Sequence, residues 1–272
     1  MSARYKKVYS EKGKCITKKS KNISPFFVYT LYWVIFMIFI ARRKIVILSF
    51  FAILFAFWAF FISGDNTAVF SPSLTRCIIV DAGHGLPDGG AVGKRGTIES
   101  TLNIKIAKAV EKKLAAKGYT VIMTRKDDNT IADSGETIGQ KKKNDMHKHL
   151  EIINSSDADI FLSIHMNKFQ DERYRGAQVI YSGKFSKSQA LGALIQEELW
   201  KLPDNKEKRQ ISKAPSSIFL LKNTTIPAII VECGFLSNFE EEELLNTEKY
   251  QNELAEAIVK GVERYYASGR SK

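Results

Sequence analysis

Three short apolar runs mark the C-terminal two thirds of the chain, and each has a polar residue at or just beyond its end. The runs are Cys77–Asp81, Ile160–Ile164 and Ala228–Glu232. Short, nearly continuous apolar runs are typical of strands that are buried on both faces of a largely parallel sheet. We therefore expect three central strands whose C-terminal ends bring polar side chains to one edge of the sheet.

The segments between these runs show helical and strand spacings in alternation. Leu102, Ile106, Val110 and Leu114 lie on one face of a helix, and Gly118 follows as its C-terminal cap. The same patterns predict further strands at 119–124, 177–181 and 218–221, and further helices at 138–155, 189–200, 239–245 and 248–266. This alternation predicts an α/β fold, with a mixed central sheet of about six strands and helices on both faces.

The N-terminal part is different, because it contains a long apolar stretch. Residues 45–62 carry no charge, and their number approaches the roughly 20 residues of a transmembrane helix. The basic triplet at 42–44 is typical of a cytoplasmic flank, so the C-terminal domain would lie outside the membrane. No small-residue cleavage motif follows. We therefore expect an uncleaved anchor, a polar linker at 63–75 and a folded domain at 76–268.

A second apolar run, Phe26–Ala41, precedes this anchor, and a single span at 45–62 is the simpler interpretation. Two spans would return the lysine-rich tail and the folded domain to the same side of the membrane, against the charge distribution. Met37 lies shortly before the basic triplet and the span, which is a normal layout for a signal anchor. A second hypothesis is therefore that translation begins near Met37 and that residues 1–36 are absent from the native protein.

The net charge of +12 comes mainly from the N-terminal tail. Residues 1–44 contain eleven lysines and arginines and one acid, Glu11, which leaves thirty basic and twenty-eight acidic residues in the rest. A nearly neutral domain behind a basic, membrane-flanking tail argues against nucleic-acid binding. The three cysteines, Cys15, Cys77 and Cys233, are too few and too scattered for a disulfide framework or a cysteine-based zinc site.

Four residues form a candidate metal-hydrolase site: His84, Glu99, His165 and Glu232. Two imidazoles and one carboxylate are the ligand types of a catalytic zinc ion with one position open for water, and a further carboxylate could act as base. Glu232 is the strongest single candidate, because an unpaired carboxylate directly after Ala228–Val231 would be costly to bury.

Each of these residues also has a simpler structural explanation. His84 could cap local backbone in its glycine-rich loop, and Glu99 could stabilise a helix N-terminus through the helix dipole. His165 needs a partner at the end of an apolar strand, which favours a ligand role over a structural one. Glu232 could form a structural salt bridge. The four residues together therefore indicate a metal site more strongly than any one of them does.

Other polar features have weaker functional interpretations. The segment Asp81–Gly93 is rich in glycine but lacks the spacing of dinucleotide and phosphate loops, so its glycines more plausibly let the backbone turn sharply beside His84. His147 and His149 lie in a polar stretch, where we expect a solvated helix face. The run Glu240–Glu243 predicts a solvated helix start.

Several motifs occur in an order and spacing known from one enzyme family. They are Asp81-Ala-Gly-His-Gly with Asp88-Gly-Gly-Ala, Glu99, Ser163-Ile-His165-x-Asn167, and Val231-Glu232-x-Gly-Phe-Leu-Ser-Asn238. Over roughly residues 76–266 the chain resembles the zinc-dependent N-acetylmuramoyl-L-alanine amidases. Val-Ile-Met-Thr-Arg125 and Gly176-Ala-Gln-x-x-Tyr181 make it most similar to the germination-specific, spore-cortex branch. It departs from the family in the basic helix 141–150, where relatives often carry Arg, and at Met166, where Ala is commoner.

The resemblance implies a site and a reaction. Zinc would be bound by His84, Glu99 and His165, and Glu232 would be the catalytic glutamate. Asn167 is a candidate substrate-binding residue. The expected reaction is hydrolysis of the amide between the lactyl group of muramic acid and L-alanine in peptidoglycan. It would occur outside the membrane, between the mother-cell and forespore membranes of a sporulating cell. Because some relatives need a lipoprotein partner, the resemblance also implies a lipoprotein activator.

Three other functions compete with a cortex amidase. The chain could be a vegetative cell-wall amidase, or autolysin, which the sequence does not distinguish from a cortex enzyme. It could be a non-catalytic, membrane-tethered peptidoglycan-binding protein, but the intact Glu232 argues against this. It could be another zinc hydrolase, such as a polysaccharide deacetylase or carboxypeptidase, but both His-x-x-Glu and His-Glu-x-x-His are absent.

Overall fold

The structure is a computed structural model, and it describes residues 5–9, 15–19, 25–62, 76–132 and 134–269. The chain divides into two units, Met1–Ser71 and Pro72–Lys272. In the first unit, strands β1 (Tyr5–Tyr9) and β2 (Cys15–Lys19) pair as an antiparallel hairpin, and helix α1 follows (Pro25–Ile62).

Helix α1 differs from the expected division of the N-terminal part. It runs without a break through both apolar runs and the basic triplet between them. Across the described residues, we find no helix with an apolar stretch long enough to cross a membrane. The predicted polar linker at 63–75 lies outside the described residues.

A mixed sheet forms the centre of the second unit. Its six strands within the described residues are β3 (Cys77–Ala82), β4 (Thr120–Met123), β5 (Ile160–Asn167), β6 (Gln178–Tyr181), β7 (Ser212–Lys213) and β8 (Ala228–Phe235). They lie in the order β4-β3-β5-β8-β6-β7. The first four are parallel, β6 is antiparallel to β8, and β7 is parallel to β6. The prediction of a mixed six-stranded sheet is confirmed.

Helices cover both faces of this sheet. They are α2 (Glu99–Ala116), α3 (Ile138–Ser155), α4 (Ser186–Leu199), α5 (Phe219–Asn223), α6 (Phe239–Leu245) and α7 (Glu248–Ala267). Helices α2, α4 and α7 contribute to the larger apolar core on one face, and α3 and α5 contribute to a smaller core on the other. Gly118 adopts the left-handed conformation just after α2, with φ of 85°, as its predicted role as a cap requires.

Side-chain alternation along the strands assigns residues to these two cores. Successive residues of a strand point to opposite faces. Ile78 and Val80 of β3 therefore pack in the larger core, whereas Ile79 packs in the smaller core with Ile153 of α3. Asp81 continues the pattern and is carried to the face that α3 and α5 cover.

One predicted strand is wrong, and one strand was missed. Residues 218–221 do not form a strand, since Phe219–Asn223 is helix α5, whose Leu221 is buried in the smaller core. A four-residue apolar run has too little periodicity to distinguish a strand from a helical turn. The sixth strand is instead Ser212–Lys213, which pairs with Ile180 and Tyr181 but is too short and polar to give a sequence signal.

Candidate metal centre and catalytic cleft

The candidate site lies at the C-terminal ends of the three central strands. Strands β3 and β5 pair in register up to Ala82 and Ile164. Strands β5 and β8 place His165 directly opposite Glu232. Ile230 packs in the smaller core, so Glu232, two residues later, points to the same face of the sheet. The sheet itself therefore brings an imidazole and a carboxylate together.

Three of the four predicted residues converge on one point. His84, Glu99 and His165 each offer one ligand atom, and these atoms all lie within 4.8 Å of one another. His84 Nε2 is 3.4 Å from Glu99 Oε2, and His165 Nδ1 is 3.0 Å from Glu99 Oε1. Two imidazole nitrogens and one carboxylate oxygen at this spacing are a donor set that fits a divalent metal ion such as zinc.

The glycine-rich loop makes this convergence sterically possible. A side chain at Gly83 would place its Cβ 2.1 Å from His165 Nε2, and one at Gly90 would reach within 2.6 Å of Glu99 Oε2. His84 has a φ of 61°, a left-handed conformation that is uncommon for residues other than glycine and is often found at functional sites. We refer to His84, Glu99 and His165 together as the metal cluster. The loop backbone therefore passes close to the metal cluster, as the sequence predicts.

Neighbouring groups fix the orientation of the cluster. Asp88 Oδ2 lies 3.2 Å from His84 Nδ1, which leaves His84 Nε2 facing Glu99. The backbone N–H of Ala91 donates to Glu99 Oε2 at 2.8 Å, and that of Met166 donates to Glu99 Oε1 at 3.1 Å. Hydrogen bonds of this kind hold in place the side chains that could bind a metal ion.

Electrostatics hold Glu99 in its ionised form. Burial opposes ionisation, but the hydrogen bond and charge of His165, together with the charge of His84, lower the pKa of Glu99 to about 2. Burial likewise opposes protonation of His165, but Glu99 raises the pKa of that imidazole to about 9. The site thus favours positive charge beside an anionic carboxylate, which is the charge pattern of a cation site.

Glu232 has a different environment. Its Oε2 is buried and makes no hydrogen bond, although buried polar atoms are nearly always paired. Burial raises the pKa of Glu232 to about 7, with the charge of His165 opposing this shift and that of Glu99 adding to it. A buried carboxyl group that titrates near neutral pH in a cleft is well suited to accept and release a proton.

These residues open into a cleft of about 290 Å³ between the sheet and helices α3 and α5. His84, His165 and Glu232 lie in its lining. The α3 side contributes polar and charged side chains, and the α5 side is mainly apolar. The residues that line the two walls are Lys142, Asp145, Met146 and His149 of α3, and Ser217 to Leu220 in α5 and the segment just before it.

The expectation of a solvated His149 is wrong. Its side chain lines the cleft and is only 4% exposed. Its Nδ1 lies 2.7 Å from Oδ1 of the buried Asp81, and its Nε2 lies 3.3 Å from Asp145. Burial opposes protonation, but Asp81 and Asp145 raise the pKa of His149 to about 10. Asp81 also accepts hydrogen bonds from Thr124 and Ser163.

A sequence signal for this pair existed in Asp81. Because side chains alternate along β3, the Asp81 carboxylate points to the same buried face as Ile79. A carboxylate buried there needs a cationic partner. The partner lies 68 positions away on α3, and nothing local to His149 identifies it. His147, by contrast, is exposed as expected, with its ring 4.9 Å from that of Phe219.

The expected solvation of the run Glu240–Glu243 is wrong for its two central residues. Glu241 is buried and accepts hydrogen bonds from the backbone N–H groups of Gly176 and Phe235. Glu242 is fully buried and accepts from the backbone N–H of Arg95. These carboxylates accept hydrogen bonds from backbone N–H groups of other segments, which a helix-dipole argument alone does not predict.

Asn167 lies at the end of β5, two residues beyond His165. It is half-buried, and its carbonyl oxygen accepts a hydrogen bond from the backbone N–H of Leu236 at 2.8 Å. It is not among the described residues that line the cleft. Its role in substrate binding therefore stays a prediction.

The fold and site together define a class of protein. The mixed α/β sheet presents a His-Glu-His cluster that could hold a metal ion beside a buried, unpartnered glutamate, which is an arrangement suited to metal-assisted hydrolysis. The family model described as N-acetylmuramoyl-L-alanine amidase matches residues 78–264. The chain belongs to the N-acetylmuramoyl-L-alanine amidase family, and it is an amidase hydrolase of that kind.

Three individual proteins illustrate what this chain is similar to. The germination-specific N-acetylmuramoyl-L-alanine amidase of Bacillus subtilis is 36% identical over 222 residues, which cover 81% of this chain and 92% of that protein. The structure of the CwlD amidase from Clostridioides difficile, in complex with the GerS lipoprotein, shares 38% identity at a TM-score of 0.68. That comparison covers 71% of this chain and 99% of the other. An N-acetylmuramoyl-L-alanine amidase from Clostridium difficile 630 shares 31% identity at a TM-score of 0.63, covering 71% of this chain and 98% of the other.

Proposed function

We propose that this amidase is zinc-dependent and acts on spore-cortex peptidoglycan, at the amide between the muramic acid lactyl group and L-alanine. The observation that carries the proposal is the cluster of His84, Glu99 and His165 beside the buried, unpartnered Oε2 of Glu232. Three protein ligands of this type leave a coordination position open, as catalytic zinc sites do.

The chain's own residues would divide the work of the reaction. Zinc, when bound, supplies a Lewis acid that activates water and polarises a carbonyl group at neutral pH. Glu232 accepts the proton of the attacking water and delivers it to the departing amine of L-alanine. Glu99 stays ionised because His165 and backbone donors stabilise its charge. Asp88 holds His84 in the tautomer and orientation that the site needs.

The cortex role and the partner rest on similarity to named relatives. One relative is a germination-specific amidase, and another was solved with a lipoprotein. We propose that this chain acts in cortex maturation, where peptide removal exposes the muramic acid that becomes the lactam, and that a lipoprotein activates it. The alternative is a vegetative wall amidase, and its support is the broader family match.

Analysis of the cortex separates these two roles. Spores that lack the protein should contain cortex in which muramic acid keeps its stem peptides and forms no lactam. Vegetative walls of the same strain should be unchanged. A normal lactam content, together with altered vegetative walls, would assign the chain to the alternative role.

We also propose that the domain acts outside the cytoplasmic membrane and that residues 45–62 anchor it there. The uncharged stretch and the basic triplet before it support this. Large apolar side chains of α1, such as Leu48, Phe51 and Phe55, are exposed in the first unit. Membrane fractionation of cells with the full chain, compared with a variant lacking 45–62, tests the anchor. Recovery of the full chain in the soluble fraction would reject it.

A further inference from the structure

Charges in the cleft are unequally available to a ligand. Asp81 is paired with His149 at 2.7 Å and is nearly inaccessible. Asp145 accepts hydrogen bonds from the backbone N–H groups of Ile131 and Ala132 at 2.9 and 3.1 Å. Both carboxylates are therefore engaged within the protein, and neither presents a free negative charge to a substrate.

Lys142 is the exposed cation of this cleft. Of the described residues that line it, Lys142 is the single lysine or arginine, and its side chain is 47% exposed. Its Nζ lies 2.9 Å from Asp88 Oδ2. An ion pair at this exposure is weak, because water screens it. The ammonium group could thus move from Asp88 to an anionic ligand at small cost.

Contacts of Asp88 place Lys142 close to His84. The Asp88 oxygen that contacts Lys142 is the same Oδ2 that contacts Nδ1 of the metal-cluster residue His84 at 3.2 Å. Lys142 Nζ is therefore no farther from His84 than two successive hydrogen bonds. One extended residue of a peptide spans about 3.3–3.6 Å, so a group one residue beyond an amide held beside the metal cluster is within reach of a lysine placed here.

We propose that the α3 wall of the cleft binds the stem peptide, and that Lys142 recognises the carboxylate of the residue that follows L-alanine. This inference rests on the proposed function, which places the L-alanine amide at the metal cluster. In peptidoglycan the following residue is a glutamate linked through its side chain. Its α-carboxyl group is either a free carboxylate or an amide. Lys142 is then a specificity-determining residue that favours the carboxylate form.

Paired substrates test this assignment. The purified protein, loaded with zinc, is given two muropeptides that differ only in that α-carboxyl group, carboxylate in one and carboxamide in the other. The wild type should show a KM about tenfold lower for the carboxylate, as expected for a charged hydrogen bond in a partly screened site. Lys142→Gln should remove this preference by raising the KM for the carboxylate alone, with kcat and bound zinc unchanged.

Lys143→Gln is the matched control. Lys143 is the next residue of α3, is exposed and does not line the cleft. This variant should keep the wild-type preference. Equal KM values for both substrates in the wild type, or the same loss in both variants, would overturn the proposal. Loss of zinc with a lower kcat on both substrates would show that Lys142 acts through Asp88 instead, and would also overturn it.

A separate outcome identifies failure of the proposed function. If the wild type exposes no L-alanine N-terminus from either muropeptide, the cleaved bond itself is misassigned. The inference about Lys142 then fails with it. If both muropeptides are cleaved at that bond, the function stands and only the preference between them decides the role of Lys142.

Discussion

The buried carboxyl groups of this site differ in pKa because their neighbours differ. Glu99 is hydrogen-bonded to His165 and two backbone N–H groups, and Asp81 is paired with His149. Glu232 lies on the same sheet edge but has an oxygen without a partner. The first two are therefore held as anions, whereas Glu232 can exchange a proton near neutral pH. Carboxyl groups thus supply both fixed charges and a mobile proton in this site.

The ligand assignment predicts metal loss in a single variant. His84→Ala removes one of three donors, so zinc should no longer remain bound after dialysis, as measured by elemental analysis. His147→Ala is the matched control, because His147 is exposed and outside the cluster. Full zinc occupancy in His84→Ala would show that His84 is not a ligand.

The Asp81–His149 pair predicts a large effect on stability. His149→Gln leaves a buried carboxylate without its cation, and breaking a buried pair in this way costs about 3–5 kcal/mol. Urea unfolding should show this loss, and the double variant Asp81→Asn/His149→Gln should recover part of it. A change below about 1 kcal/mol, similar to that of a surface substitution such as His147→Gln, would contradict the importance of the pair.

The same pair predicts how stability depends on pH. The pKa of His149 is raised from 6.5 to about 10, so its contribution is complete below about pH 6.5 and is lost as pH rises through 10. The pKa of Asp81 is lowered, so its contribution is lost only in acid. The stability advantage of the wild type over His149→Gln should therefore shrink between about pH 7 and pH 10. An advantage that grows over this range would contradict the pairing.

At the scale of elements, Arg125 joins the segments that carry two metal-cluster residues. Its guanidinium donates to the carbonyl oxygens of Ala82, Gly83 and Ser100, at 2.8, 3.1 and 2.8 Å. The first two precede His84 at the end of β3, and Ser100 follows the first residue of α2, Glu99. A buried, planar side chain with several donors thus fixes a strand end against a helix start.

These hydrogen bonds of Arg125 predict that Arg125→Lys binds metal more weakly than the wild type. A lysine cannot reproduce the spread of donors of the guanidinium group. Zinc affinity should fall by about 10–100-fold, as is typical when groups that support ligands are altered. Competition with a chelator measures it, and Arg173→Lys, an exposed arginine paired with Asp171, serves as control. Equal zinc affinities of Arg125→Lys and the wild type would show that these hydrogen bonds do not support the metal site.

Sequence patterns predict the elements that form the site better than the contacts between them. The apolar runs before Asp81, His165 and Glu232 identify the central strands, because burial on both faces leaves a clear signal. Helix α5 and strand β7 escape prediction because short elements carry too little periodicity. His149 escapes it because its partner lies on a distant strand, and helix α3 looks polar when considered alone.

At the scale of the whole molecule, the sheet positions the chemistry and the helices shape access to it. The aligned ends of β3, β5 and β8 supply His165 and Glu232 directly and hold the loop that carries His84. Helices α3 and α5 then form the two walls of the cleft, one charged and one apolar. The nearly neutral composition after residue 44 fits a substrate that is a glycan with short peptides rather than a nucleic acid.

Mass spectrometry of digested peptidoglycan identifies the bond that this protein cleaves. Zinc-loaded wild-type protein should free the N-terminus of L-alanine and leave muramic acid without peptide. Glu232→Gln should bind as much zinc as the wild type and produce neither product, because the proton acceptor is gone. Release of acetate in place of new L-alanine N-termini, or undiminished cleavage by Glu232→Gln, would contradict the account.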